Sequence, residues 1–338
     1  VILKIYIKNI ISKVYKYYMK ILVVQNRMGI GDTVIFLPYI KALSKNFNSP
    51  ISLLVKKNSK ADQYLFNAKY INEIITLERD KNSTSRHNGF LGSIQLIRDI
   101  KKYNFDKIFI FNSSLRYFLI AKISGISEIY QYPLFQKKFQ HITNTPKKFI
   151  KDHLNLDINE DPVIEINKDL IDRAYTEYKI DKNKINILLG IGGSGPTKRI
   201  PADTFLKVME KISKIKSCNF FLATGKHKDE QLILEKILKS QFKNFCIPLD
   251  NLTIKETLPI IKNCNVSVCN DSSFSHLSAA LGIKTITLMA DTPLIYGNYS
   301  SKMFPIEPDG VENVTHDTMG KNKINPNKIF NKLIKIID

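Results

Sequence analysis

Short apolar runs alternate with longer amphipathic stretches along most of this chain. The runs are rich in Ile, Leu and Val and are bounded by polar residues, a pattern typical of strands buried on both faces of a parallel sheet. In the N-terminal half, the predicted strands are 21–25, 51–55, 71–77 and 106–112, and the predicted helices are 33–45, 59–67, 92–103 and 114–123. This alternation predicts a parallel sheet covered by helices.

A second alternating series begins at residue 185. Its predicted strands are 185–191, 218–224, 244–247, 266–270 and 284–289, and its predicted helices are 203–216, 228–240, 254–262 and 273–281. We therefore expect an α/β protein with two similar units in tandem, whose ligand binds where the carboxyl ends of both sheets face a cleft. The predicted boundaries are an extension at 1–19, a first Rossmann-like domain at 20–155, a linker at 156–184, a second Rossmann-like domain at 185–322 and a C-terminal helix at 323–338.

The composition excludes several other classes of protein. The chain has 338 residues, of which 43% are hydrophobic and 24% charged, so it is neither disordered nor too small for a sizeable core. No uncharged stretch reaches 18 residues, which argues against a spanning helix. All four cysteines lie in the second half without a CxxC pair, as expected of reduced, buried thiols. Cys264, Cys269 and His276 fit no common zinc spacing, so no metal site is predicted.

The positive charge is concentrated in the N-terminal half. Residues 1–150 contain 25 Lys and Arg against 8 Asp and Glu, a net charge of +17, whereas residues 151–338 have a net charge of +3. This asymmetry indicates an anionic partner for the first half, either a membrane surface, a phosphorylated substrate or nucleic acid. The charges are scattered and no nucleic-acid-binding motif is present, so nucleic acid is the least favoured of the three.

Residues 1–20 form a segment of their own. Leu3, Ile7, Ile10, Val14 and Tyr17 follow helical spacing, and five lysines with no acidic residue occupy other positions. This pattern is typical of an amphipathic helix that lies on an anionic membrane. The alternative interpretation is a loosely attached extension ahead of Met19.

The segment GIGGSG at 190–195 follows a predicted strand and forms a GxGxxG pattern. A dinucleotide-binding helix should continue from it, but Pro196 and Pro201 interrupt the sequence, and the acidic residue expected about 20 positions later is missing. Lys198 and Arg199 follow the glycines instead, which favours a phosphate-binding loop with two cationic side chains. NAD binding stays an alternative.

Two other predicted strands end in residues with possible chemistry. Asp271, Ser272 and Ser273 would cap a helix whose free N–H groups and dipole favour a bound diphosphate, although capping alone would also explain them. His276 would lie in the first turn, either at the site or packed in the core. Asp32 follows the first strand, where a carboxylate could remove a proton from an acceptor hydroxyl or could simply cap a helix.

These segments, in this order, resemble glycosyltransferase family 9, the bacterial heptosyltransferases of lipopolysaccharide core synthesis. The matching residues are Gly31-Asp32 with Pro38, Thr197-Lys198-Arg199 with Pro201, Asn270-Asp271-Ser272 with His276, Ala279 and Ala280, and Asp291-Thr292-Pro293 with Gly297. The resemblance covers roughly residues 20–297. It implies a GT-B fold, with two Rossmann-like domains whose parallel sheets face a central cleft, the acceptor on the first and the nucleotide sugar on the second. No DxD triplet supports the metal-clamped alternative fold.

The resemblance also implies roles for individual residues. Asp32 would be the general base, and Lys198 would stabilise the departing nucleoside diphosphate. The residues implied in donor binding are Gly193, Ser194, Thr197, Arg199, Glu230, Asp271, Ser272, Ser273 and His276, and those implied in acceptor binding are Arg27, Gly31 and Arg116. Two positions depart from the family pattern, since Ile200 replaces an aromatic residue and Ser273 a glycine, which leaves the donor sugar open.

The expected function is that of an inverting, metal-independent glycosyltransferase without a cofactor. It would transfer heptose from ADP-heptose to a lipopolysaccharide-core or related surface-glycan acceptor. The expected partners are the nucleotide sugar, an anionic glycolipid or glycan and an anionic membrane, but not nucleic acid. The expected location is cytoplasmic, peripheral on the inner face of the inner membrane. The alternatives are a related transferase with another nucleotide sugar and a non-catalytic or NAD-binding α/β protein.

Overall fold

The computed structural model describes residues 19–80, 85–136 and 141–338. The predicted amphipathic helix ahead of Met19 lies outside these residues. The described chain divides into two compact units. The first contains residues 19–27, 39–57 and 69–158, and the second contains residues 28–38, 58–68 and 159–338. Two short segments of the N-terminal half thus belong to the second unit, a division that hydrophobic periodicity does not reveal.

The first sheet has five parallel strands in the order β3-β2-β1-β4-β5. The strands are β1 (Ile21–Gln25), β2 (Ile51–Lys56), β3 (Ile71–Leu77), β4 (Lys107–Ile110) and β5 (Glu128–Gln131). The helices of the N-terminal half are α1 (Ile30–Phe47), α2 (Gly89–Lys101), α3 (Leu115–Ile123) and α4 (Asn144–Leu154). All five residues of β1 are buried, because this central strand is paired on both edges and packed on both faces.

Helices α2 and α3 cover one face of this sheet. Leu96 and Ile100 of α2 and Tyr117 and Ile120 of α3 join a buried cluster with strand residues such as Leu22. The spacing of these positions is that of one apolar stripe on each helix. The opposite positions of the two helices are therefore left to the surface.

The second sheet has six parallel strands in the order β11-β10-β9-β6-β7-β8. The strands are β6 (Ile185–Gly190), β7 (Cys218–Ala223), β8 (Cys246–Pro248), β9 (Val266–Asn270), β10 (Thr285–Leu288) and β11 (Met303–Ile306). The helices are α5 (Lys168–Glu177), α6 (Ala202–Ser213), α7 (Lys228–Leu238), α8 (Ile254–Lys262), α9 (Ser273–Ala280) and α10 (Pro326–Ile337). Helix α10 packs against α6, with Ile329 and Leu333 in the same buried cluster as Phe205 and Met209.

Three details differ from the sequence prediction. The predicted helix at 59–67 is replaced by two single 3₁₀ turns, Lys57–Ser59 and Ala61–Gln63, because Lys60 between them is in the left-handed conformation (φ 46°). The segment 133–152, for which the sequence predicted neither a helix nor a strand, contains most of α4, whose apolar positions include the buried Phe149 and Ile150. Strands β5 and β11 were also not predicted, because each has only four residues and a partly polar or Pro-containing sequence.

Candidate active site

A cavity of about 1000 Å³ lies within the second unit. Its wall includes the residues that directly follow β6, β7 and β9, where parallel strands present their carboxyl ends. The rest of the wall includes the segment from Met28 to Asp32 and the residues Asn58, Lys60 and Gln63. The cavity therefore combines residues from both halves of the sequence.

Most of the predicted site residues line this cavity. They are Gly31, Asp32, Gly193, Ser194, Lys198, Arg199, Glu230, Asp271, Ser272, Ser273 and His276. Three others, Arg27, Thr197 and Arg116, are not among the described residues that line it. Arg27 and Arg116 belong to the first unit, where the Arg116 guanidinium donates to the carbonyl of His87. Their predicted roles in acceptor binding stay predictions.

Lys198 and Asp271 form a partly buried ion pair on the cavity wall. The Lys198 Nζ lies 2.7 Å from Asp271 Oδ2, and the side chain of Asp271 is only 4% exposed. Burial alone would raise the pKa of Asp271, but the attraction of Lys198 and of His276 outweighs it, and the pKa is lowered. Asp271 is thus an anion that holds the ammonium group of Lys198 at the cavity.

The start of α9 carries hydroxyl groups and free backbone N–H groups into the same cavity. Ser272 is the N-cap residue, but its side chain makes no capping hydrogen bond, so the predicted cap is wrong at this residue. Asp271 is engaged by Lys198 instead. The Ser272 Oγ is buried and, like the Thr224 Oγ1 at the end of β7, has no hydrogen-bond partner among the described residues. Unpartnered polar groups at a helix N-terminus suit an anionic ligand.

Glu230 stabilises the glycine-rich loop after β6 by a hydrogen bond to its backbone. Its Oε1 accepts a hydrogen bond of 2.7 Å from the backbone N–H of Gly193. A Cβ atom on Gly192 would come within 2.5 Å of Glu230 Oε1, and one on Gly225 within 2.6 Å of Oε2. The two glycines are therefore needed for close packing around a buried carboxylate.

Arg199 holds the same loop from its other side. Its Nε donates to the carbonyl of Gly193 at 2.9 Å, and a terminal nitrogen donates to Asp229 Oδ2 at 2.9 Å. The side chain is 8% exposed, so little of the guanidinium is open to the cavity. These contacts make Arg199 and Glu230 supports of the loop geometry, with Lys198 as the more accessible cation.

His276 packs against the turn that leads to Asp32. A Cβ atom on Gly31 would lie 2.4 Å from His276 Cδ2, so the ring occupies the space of any side chain at position 31. On its other side the ring stacks on Tyr299, with centroids 5.6 Å apart, and its Nδ1 lies 2.8 Å from the Tyr299 hydroxyl. Burial lowers the pKa of His276, and the nearby Lys198 adds to this effect while Asp271 opposes it.

Asp32 lies in the first turn of α1 and lines the cavity. The first turn is the positive end of the helix dipole, so the carboxylate of Asp32 lies near free backbone N–H groups. Since the preceding residue, Gly31, is in contact range of the His276 ring, the packing of His276 fixes the backbone next to Asp32. The chemistry available in the cavity is thus a carboxylate base together with a cation and a helix N-terminus.

Several residues that line the cavity or pack against its wall were not found from the sequence. Tyr299, the partner of His276, lies 23 residues after it with no motif around it. Lys226 bonds Asp250 Oδ2 at 2.7 Å and Asn251 Oδ1 at 2.6 Å, and all three line the cavity. For Lys226, Asp250 and Asn251, the one available signal is their position shortly after predicted strands. Tyr299 has no such signal.

Three other features of the described residues concern metal binding, the cysteines and membrane-spanning helices. No three of their His, Cys, Asp or Glu side chains are grouped to hold a metal ion. Cys218, Cys264 and Cys269 are buried free thiols, and burial raises the pKa of each. In the same part of the chain, no helix combines the length and apolar character needed to cross a membrane.

The fold belongs to a known class. A glycosyltransferase family 9 structure from Veillonella parvula is similar with a TM-score of 0.76 and 20% identity, covering 95% of this chain and 97% of that one. The E. coli ADP-heptose lipopolysaccharide heptosyltransferase II is similar with a TM-score of 0.70 and 16% identity, covering 94% and 98%. The E. coli heptosyltransferase WaaC with ADP has a TM-score of 0.68 and 11% identity, covering 94% and 100%. The predicted GT-B class, with two Rossmann-like domains, is confirmed.

Residues 95–307, well over half of the chain, match the profile of Glycosyltransferase family 9 (heptosyltransferase). The chain belongs to this family, and it is a glycosyltransferase. The resemblance found in the sequence is thereby confirmed. A search of curated proteins finds no match.

Proposed function

We propose that this glycosyltransferase transfers heptose from ADP-heptose, with inversion and without a metal ion, to a lipopolysaccharide-core or related surface-glycan acceptor. The observation that carries the proposal is the presence of Asp32, Lys198 and the N-terminus of α9 around one cavity. The donor assignment is supported by two similar structures, one described as an ADP-heptose heptosyltransferase and one as a heptosyltransferase with ADP.

The diphosphate of the donor would bind at the start of α9. The unpartnered hydroxyl of Ser272 and the backbone N–H groups of the first turn would donate to its oxygens. Lys198, held by Asp271, would offer its remaining ammonium protons to the same phosphates. The Gly193 loop, braced by Arg199 and Glu230, would give the donor a rigid wall, because a preorganised site loses less free energy on binding.

The transfer step would be a single displacement at the anomeric carbon. Asp32 removes the proton of the acceptor hydroxyl as its oxygen bonds to that carbon. The bond from the carbon to the diphosphate oxygen breaks at the same time, and the electron pair leaves with ADP. Lys198 and the N-terminus of α9 stabilise the negative charge that develops on the leaving group. Attack from the face opposite the leaving group inverts the configuration.

This distribution of charge supports the proposal that the reaction needs no metal ion. The leaving group needs a positive partner, and the ammonium of Lys198 with the dipole of α9 would provide it. The sequence has no DxD triplet of the kind that clamps a metal-bound diphosphate. An assay with a chelator tests this part of the proposal separately.

The proposed class of acceptor is inferred from the net charge of the N-terminal half of the chain. A net charge of +17 in residues 1–150 favours an anionic, phosphate-bearing glycolipid or glycan and peripheral contact with an anionic membrane on the cytoplasmic side. We keep one alternative within the family, a different nucleotide sugar, because Ser273 adds a hydroxyl to the cavity where family members usually have glycine.

The test is a transfer assay with a panel of nucleotide sugars, with EDTA added to one set. We expect product with inverted configuration from ADP-heptose, at the same rate with and without EDTA. Product only from another nucleotide sugar would support the alternative donor. A rate abolished by EDTA and restored by a divalent cation would contradict metal independence.

A further inference from the structure

Helix α3 exposes a stripe of large apolar side chains. Leu115, Leu119 and Ile123 are 38%, 46% and 59% exposed and recur every four residues, so they share one face of the helix. The residues between them, such as Tyr117 and Ile120, are buried against the sheet. The stripe thus faces away from the core that the same helix covers.

Two further segments bring apolar side chains to the beginning of this helix. Arg116 donates to the carbonyl of His87, which joins the start of α3 to the turn before α2. The first residues of α2 include Phe90 and Leu91, each 79% exposed. The backbone of Phe135, whose side chain is 78% exposed, donates to the carbonyl of Ser113 just before α3.

We call these six residues, Phe90, Leu91, Leu115, Leu119, Ile123 and Phe135, the α3 face. Single exposed apolar residues are common on protein surfaces, but a cluster of this kind marks an interaction site. More than half of the large apolar side chains exposed in the described chain lie between residues 90 and 135. This segment is about one seventh of the sequence, so the clustering is specific to this side of the first unit.

The surroundings of the α3 face are basic. Lys122 is exposed on α3 itself, and Arg98, Lys101 and Lys102 are exposed on the adjoining helix α2. Asp99 is the one acidic residue on α2, and it is engaged by Arg86 and Lys102. Exposed apolar side chains surrounded by basic ones are complementary to an anionic bilayer, whose headgroups attract the cations while its acyl region accepts Phe and Leu.

We propose that the α3 face is the surface by which this protein docks on an anionic lipid bilayer. The inference rests on the proposed function in one respect only, namely that the acceptor is held in a membrane. A second copy of the chain would fit less well, because pairing this face with itself would bring together two units that are both strongly basic. The surface lies outside residues 1–18, so the proposal assigns docking to residues 90–135 of the first unit.

The absence of tryptophan from the sequence allows a direct test. Phe90→Trp and Leu119→Trp place single fluorescent probes on the α3 face, and Leu232→Trp, at a 55% exposed position of the second unit, is the matched control. The full chain is mixed with phosphatidylcholine vesicles with and without phosphatidylglycerol. We expect a blue shift for the first two probes with the anionic vesicles only, weakening as salt is added, and none for Leu232→Trp.

Binding to the same vesicles is then measured by sedimentation for two polar variants. Leu119→Gln/Ile123→Gln should bind at least about 10-fold more weakly than wild type, since burying one such side chain is worth roughly a factor of 10 in binding. Leu232→Gln is the control and should bind as wild type does. Stabilisation by ADP, which depends on the second unit alone, should be unchanged in every variant.

Several results would overturn the proposal. These are the absence of wild-type binding to anionic vesicles, equal binding of wild type and Leu119→Gln/Ile123→Gln, or binding that is lost only when residues 1–18 are deleted. A concentration-dependent dimer that disappears in the double variant would assign the face to a second copy instead. A failure of ADP to stabilise any variant, with vesicle binding intact, would contradict the proposed function and leave the docking surface standing.

Discussion

The basic residues that line the cavity of the second unit and those beside the α3 face of the first unit differ in how they are held. In the second unit, Lys198 is paired with the buried Asp271, and the guanidinium of Arg199 is 8% exposed and bonded to Asp229 and the Gly193 carbonyl. In the first unit, Lys101 and Lys122 extend from helix surfaces into solvent. Charges fixed in a cavity can recognise one ligand geometry, whereas exposed charges create a diffuse attractive field.

This contrast explains why net charge is a poor guide to the position of the active site. The nearly neutral half of the chain contains the loop and helix that line the cavity, while the excess charge lies in the other half. On the cavity wall, Lys198, Arg199 and Lys226 each have a carboxylate oxygen within 2.9 Å, which balances the positive charge and fixes the side chain. We expect substitutions in the cavity to affect turnover and nucleotide binding. Substitutions on the surface of the first unit should affect binding to anionic membranes.

The largest expected effect is that of Asp32→Asn, which removes the proposed base but keeps the shape of the side chain. We expect the turnover number to fall by about 10²–10⁴-fold, because general base catalysis is worth that much. The affinity for ADP should stay within about twofold of wild type, since no proton is moved on binding. Single-turnover transfer kinetics and calorimetric ADP titration measure the two quantities. Normal turnover would remove Asp32 from the mechanism.

Gly31→Ala tests the packing of His276 against the same turn. An alanine normally stabilises a helix relative to glycine, but here its Cβ would lie 2.4 Å from His276 Cδ2. We expect the free energy of unfolding to fall by about 1–3 kcal/mol, as in other overpacked sites. Gly195→Ala is the control, because the nearest atom to its new Cβ is 3.9 Å away. Equal stability of the two variants in chemical denaturation would contradict the packing.

The buried His276 gives a pH dependence with a defined sign. It faces Asp271, Lys198 and Tyr299, and burial lowers its pKa below the ordinary value of 6.5. As the pH falls below 6.5, the unfolded chain takes up a proton that the folded His276 does not. Stability present above pH 6.5 is therefore lost on acidification, by up to about 1.4 kcal/mol per pH unit.

Chemical denaturation of wild type and His276→Gln at about pH 7.5 and about pH 5.5 measures this contribution. The difference in unfolding free energy between the two pH values should be smaller in the variant. The pKa of Asp271 is also lowered, but its contribution is lost only at more acidic pH and does not interfere. An identical pH slope in both proteins would mean that folding does not change the pKa of His276.

The smallest expected effect is on the first unit. Lys101→Gln/Lys122→Gln removes two exposed charges far in sequence from the cavity residues. ADP affinity and turnover with a soluble acceptor should change by less than about twofold, since exposed charges are strongly screened. The salt dependence of binding to anionic vesicles should become shallower. A large loss of ADP affinity would show that the field of the first unit contributes to the cavity.

The sequence predicted the strand-and-helix alternation well, because both sheets are parallel and their central strands are continuous apolar runs. It failed at 59–67, where the left-handed backbone conformation of Lys60 replaces the predicted helix with two 3₁₀ turns. It also failed for β5, whose four residues include Glu128 and Gln131 and carry too little hydrophobic pattern to be recognised.

The candidate site was predictable as far as it lies in local motifs. Asp32, Lys198 and Asp271 each directly follow a strand or a glycine-rich turn, so their neighbours in the sequence indicate them. His276 contacts Gly31 and Tyr299, which are both far from it in the chain. No local sequence pattern predicts contacts of this kind. The support of the Gly193 loop by Glu230, 37 residues away, depends in the same way on tertiary structure.

The most direct test of the account is the thermal stabilisation of wild type and Lys198→Ala by ADP, UDP, GDP, CDP and NAD. Lys214→Ala, which removes a surface lysine paired with Glu210, controls for loss of charge alone. ADP at about 100 times its dissociation constant should stabilise wild type and Lys214→Ala by about 2.7 kcal/mol. We predict that ADP has this effect and that it is lost in Lys198→Ala. Stabilisation by NAD alone, or equal stabilisation of Lys198→Ala by ADP, would contradict a diphosphate site built around Lys198.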